Sequence, residues 1–155
     1  MSEHFATIRW RRGEAAFTDR KYSRGHEWSF DGGAMVQASA SPHNVPPPLA
    51  VESAVDPEEA FVASLSSCHM LWFLAIAAER GFRVDAYEDA ACGILGRDAV
   101  GRSSITAVTL RPRVAFSGDR TPDDREIAAM HERAHEECFI ANSVKTDVRC
   151  EWSRT

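Results

Sequence analysis

The sequence predicts a single α+β domain over residues 1–155, and three observations predict it. An apolar stretch with helix punctuation at both ends runs from Asp56 to Gly81. Segments that alternate apolar and polar residues, the mark of half-buried strands, lie on both sides of it. A second stretch, from Thr121, repeats its apolar residues at helical spacing. Strands gathered before, between and after two helices point to largely antiparallel sheets packed around a long buried helix.

In chain order, residues 4–17 carry Phe5, Ile8 and Trp10 before Gly13, which reads as a first strand or a hairpin. A second strand is expected near 26–30 and a third near 34–40, on either side of the turn Asp31-Gly32-Gly33. Residues 41–55 hold four prolines and no period, so they form a loop. In the stretch DPEEAFVASLSSCHMLWFLAIAAERG, Asp56 caps the helix, Pro57 fits its first turn and Glu59 completes a capping box. Gly81 stops the helix. From Ala60 to Ala78 every face is largely apolar, which predicts a helix buried all round. Residues 82–95 suggest one strand, and 103–116 a strand pair or one bent strand with Pro112 near an edge. In the second helix Ile127, Met130, His131 and Ala134 form the inner stripe, and it ends near Cys138. A closing strand places Val144, Thr146, Val148 and Cys150 on one side. The expected order is β-β-β-α-β-β-α-β.

A net charge of -5 argues against a nucleic-acid surface, and the small basic patch Arg9-Arg11-Arg12 is offset by Glu14. The apolar helix invites comparison with a membrane span. Its uncharged run includes Ser64, Ser66, Ser67 and His69 and has ordinary caps, so a soluble protein is expected. The opening MSEHFATIRW has no apolar stretch long enough for a signal peptide, and a cytosolic setting follows as the expectation. There, the four cysteines are reduced thiols, ligands or redox groups rather than a disulfide framework.

Cys92 and Cys150 fall in alternating strand patterns and read as packing residues. Cys68 and Cys138 have polar neighbours, Ser66-Ser67-Cys68-His69 and His135-Glu136-Glu137-Cys138. A reactive cysteine works as the thiolate, which needs donors, positive charge or a helix N-terminus.

The run Asp56-Pro57-Glu58-Glu59, followed by Cys68, resembles the first cysteine motif of the OsmC/Ohr family of thiol peroxidases. The run from Ala134 through Cys138 to Ser143 is similar to that family's second motif. The resemblance implies an intertwined homodimer that reduces organic hydroperoxides with no metal or other cofactor, regenerated by a dithiol reductant. It casts Cys68 as the peroxidatic nucleophile, Cys138 as the resolving cysteine and Glu58 as a carboxylate orienting an arginine. Arg24 is the chosen arginine and Arg20 the reserve, since residues 38–57 contain none. Val55-Asp56 in place of a Thr-Asn pair, Phe139 and His69 mark a divergent subgroup.

Ten residues of straight helix separate Glu58 from Cys68 by about 15 Å, so either an arginine bridges them or the helix breaks near Ser64-Leu65-Ser66-Ser67. Met70, Trp72 and Phe73 are candidate lining for an apolar pocket or plain core, and His26 and His43 are candidate pocket residues. Two other readings compete. One is a binding protein for a small apolar ligand on the same fold. The other is a metal module using Cys68, His69, His135 and Cys138, whose spacing fits zinc sites poorly.

Overall fold

The computed structural model describes residues 1–154. The chain is α+β, with three three-stranded sheets. It divides into two compact units, Met1–Ala60 and the residues from Phe61 onward.

The first unit holds an antiparallel sheet of β1 (Ala6–Arg9), β2 (His26–Phe30) and β3 (Met35–Ala38) in that order. The strand expected within 4–17 is therefore four residues long, and its hairpin partner is β2. Trp10, Phe17 and Tyr22 follow β1 as a cluster of rings, with Phe17 stacked on Tyr22 at 4.7 Å between centroids. The proline-rich loop is tied back by Val51 N–H to Ser39 Oγ (2.9 Å) and by paired bonds between Val55 and the Gln37–Ser39 segment.

Helix α1 (Pro57–Glu79) begins as its sequence dictates. Asp56 Oδ1 accepts from Glu59 N (2.7 Å) while Glu59 Oε2 accepts from Asp56 N (3.1 Å). It ends in a Schellman motif: Phe82 N bonds to Ala77 O, Gly81 N to Ala78 O, and Gly81 takes φ +77°, where a glycine needs no Cβ compromise. The helix is continuous through 64–68, so the break placed at the serines does not exist. Ser64 Oγ bonds back to Phe61 O inside the helix, and Ser66 Oγ donates outward to Asp89 Oδ2 at 2.5 Å. The serines thus find partners that leave the backbone ladder intact. Burial all round is also corrected: Leu65, His69, Phe73, Ile76 and Ala77 are buried, whereas Leu71 is 61% exposed. By length and composition α1 is apolar enough to cross a membrane, but its buried stripe is that of a core helix.

In the second unit, β4 (Arg83–Asp89), β7 (Pro112–Ser117) and β9 (Ser153–Arg154) make one sheet in the order β4-β7-β9. β5 (Cys92–Arg97), β6 (Ser103–Leu110) and β8 (Asp147–Cys150) make the other, in the order β5-β6-β8. The single strand expected over 82–95 is thus two, and 103–116 is a strand pair: Asp89 turns the chain between β4 and β5, its Oδ1 accepting from Arg111 N (2.6 Å) and so also fixing the β6–β7 corner. The last strand of each sheet runs parallel to its neighbour. α2 (Asp124–Glu137) buries Ile127, Met130, His131 and Ala134, the stripe its spacing predicts, and a single turn, α3 (Phe139–Asn142), follows. Phe73, Ile76 and Ala77 of α1 pack with Phe82, Val114 and the α2 stripe, while Leu65 packs with Val108 and Leu110.

Candidate active site

Cys68 is half-buried on α1, and Cys138 is buried at the junction where α2 ends and α3 begins. Cys68 is close enough to the Cys138 thiol to act on its titration. Burial first, and then that neighbour, push the Cys138 thiol up to about 11, so it is protonated at neutral pH. Cys138 also caps α3, its Sγ accepting from Ala141 N at 3.4 Å. The break between α2 and α3 is what turns this thiol inward. Both cysteines are free. Beside them, Trp72 meets Phe139 edge-on at 5.6 Å, whereas Phe73 is fully buried core.

Glu58 and Arg24 belong to the first unit. Glu58 Oε1 accepts from Asn44 Nδ2 at 3.4 Å, and its Oε2 is buried with no partner among the described residues. The Arg24 guanidinium lies 3.7 Å from the centroid of the Tyr22 ring and donates to the carbonyls of Arg20 (3.1 Å) and Tyr22. Arg24 and Glu58 are not paired with each other among the described residues. His26 Nδ1 donates to Arg24 O at 2.8 Å, and His43 lies in the proline loop, its N–H on Ser41 Oγ.

The four-ligand set Cys68, His69, His135, Cys138 is not assembled, because His69 faces away from Cys68. Its Nε2 is 3.0 Å from His131 Nδ1 and 3.8 Å from Cys150 Sγ. Cys150, read from its strand pattern as a packing residue, is half-buried and free. Burial holds His69 down at about 4, with the His135 charge adding to the fall and Asp89 opposing it. Burial and then His69 hold His131 at about 3, so both imidazoles are neutral at pH 7. His131 and His135 stand four residues apart on one helix, while His131 also completes the apolar stripe. A larger open hollow, about 780 Å³, is bounded by Arg97, Arg102 and Lys145 and has neither cysteine nor histidine in its lining.

The fold is that of OsmC-like proteins. The OsmC-like protein profile matches residues 50–153, and the chain belongs to that family. It is similar to an OsmC-like protein of unknown function from Vibrio cholerae, with 57% identity over 99% of this chain and 100% of that one, and a TM-score of 0.97. It shares its fold with an organic hydroperoxide resistance protein from Elizabethkingia anophelis (15% identity, 100% and 96% covered, TM-score 0.71). The same holds for the organic hydroperoxide resistance protein OhrB of Bacillus subtilis (18%, 99% and 98% covered, 0.67). No curated protein matches the chain at a significant level.

Proposed function

We propose that the chain is a thiol-dependent peroxidase that reduces organic hydroperoxides through Cys68 and Cys138. The observation that carries this reading is the meeting of two free thiols from α1 and the α2–α3 junction. The Cys68 thiolate attacks one peroxide oxygen, the O–O bond breaks, and the leaving alkoxide takes a proton as the alcohol. Cys68 is left as a sulfenic acid. Attack by the Cys138 sulfur expels water and forms the disulfide, and a dithiol reductant returns both electrons. The similarity in fold to proteins named for organic hydroperoxide resistance supports the substrate class.

In this reading the unpartnered Glu58 oxygen awaits a guanidinium, with Arg24 released from Tyr22 as the donor. The protein works as a homodimer of single domains over residues 1–155 in a reducing, cytosolic compartment. Exposed apolar side chains on both units, Ile8 (59%), Leu71 and Phe139 (68%), favour such a partner.

The test is a thiol count before and after one equivalent of an organic hydroperoxide. Loss of two thiols, with mass spectrometry showing a Cys68–Cys138 link, is expected; an unreactive Cys68 overturns the reading. One observation favours the second reading, an apolar-ligand binder without turnover: the Arg24 guanidinium is held by Tyr22. Retention of an apolar ligand with no peroxide consumed would support it.

A further inference from the structure

Away from the thiol pair, the second unit holds a cluster that peroxidase chemistry leaves unused. His69 on α1, His131 on α2 and Cys150 on β8 each direct one donor atom to a common point, with these atoms all within 4.8 Å of one another. His69 and His131 are 1% and 3% exposed. Two neutral imidazoles that face each other satisfy one nitrogen apiece. The remaining nitrogens, His69 Nδ1 and His131 Nε2, are buried without a partner among the described residues, and so is the Tyr87 hydroxyl. The atoms that converge are the other ring nitrogens, His69 Nε2 and His131 Nδ1, together with Cys150 Sγ, and it is their spacing that bears on a ligand.

The spacing says what kind. For a tetrahedral zinc ion, ligand distances of about 2.05 Å to imidazole nitrogen and 2.3 Å to sulfur put donors about 3.3 Å (N–N) and 3.6 Å (N–S) apart. The pairs here stand at 3.0 and 3.8 Å. Two edges match within a few tenths of an ångström, and the third lies within 4.8 Å, so side-chain shifts bring the three donors onto one ion. A cavity of about 440 Å³ is lined by two of the three residues, His131 and Cys150, together with His135 and Trp152. His135, exposed and one helical turn on from His131, stands at that cavity's edge.

We propose that His69, His131 and Cys150 form a binding site for a zinc-class divalent ion, with His135 as the fourth ligand. Two imidazoles and a thiolate suit such a borderline-soft cation. On binding, the Cys150 thiol gives its proton to solvent as the sulfur–metal bond forms, and no electron is exchanged. The site is separate from Cys68 and Cys138 and stands whether or not these turn over peroxide.

The experiment is an anaerobic titration of reduced, chelator-treated protein with cobalt(II), followed by zinc. One equivalent of cobalt should give a thiolate-to-cobalt charge-transfer band and intense tetrahedral d–d bands, both removed by one equivalent of zinc. Cys150→Ser should lose the charge-transfer band, while Cys68→Ser and Cys138→Ser keep it. His135→Ala, at an exposed position that folding tolerates, should bind cobalt at least about tenfold more weakly, since even an outer-shell partner of a ligand is worth about that much. No band at saturating cobalt would overturn the proposal, as would a band that survives Cys150→Ser and vanishes in Cys68→Ser.

Discussion

Single residues carry the chemistry here through burial. Cys138 is 1% exposed, and its folded-state thiol is raised from 9.0 to about 11. Between those values the folded chain holds a proton that the unfolded chain has lost, so stability is full below pH 9 and falls as pH rises toward 11. The loss for this group reaches about 3 kcal/mol once the pH has passed 11. Chemical denaturation of the reduced protein at pH 8 and pH 10.5 measures it, and Cys138→Ser should flatten the decline. Residue identities were readable to different depths. The candidate pair Cys68 and Cys138 stood out because motif and spacing flagged both. Cys150 did not, because its partners His69 and His131 come from helices far away in sequence, and a strand pattern says nothing of what crosses its face.

Elements were legible where their signals are local. Asp56, Pro57, Glu59 and Gly81 bound α1 as expected, and Asp123 caps α2 with Glu126 in a reciprocal box. The error at the α1 serines came from weighing backbone competition without knowing that Asp89 would take the Ser66 hydroxyl. Strand ends were blurred by β-bulges between Val84 and Ala86 and between Ile94 and Leu95, which interrupt the two-residue alternation. Gly93 shows what α1 demands of its sheet. A Cβ there would sit 2.5 Å from Val62 Cγ2, a branched side chain with little room to turn. Gly93→Ala should therefore cost about 1–3 kcal/mol by overpacking, read as a lower denaturation midpoint with the thiol pair still reactive in the folded fraction.

At the scale of the whole molecule, the class α+β was legible from the clustering of strands around two helices, but the pairing was not. No local pattern indicates that β8 joins β6 or that β9 joins β7, since both pairings are parallel and distant. The uniform apolarity of α1 misled for a related reason: it signals a surface that needs cover, without saying whether this chain supplies it. Leu71 is exposed here, and the proposed homodimer is what would cover it. Light scattering should find a dimer for the unaltered protein. Leu71→Glu should shift it toward monomer, and an unchanged mass would place the interface elsewhere.

The two late parallel pairings have a consequence for how the fold is assembled. Val108 meets Val148 and Val114 meets Arg154, each partner arriving forty residues downstream. Contacts of such separation carry a loop-closure cost that local turns do not. The hairpins and helices have every reason to form first, and the sheets of the second unit gain their outer strands only afterwards. Because β8 carries Cys150, the buried histidine pair lacks its sulfur neighbour until β8 joins β6.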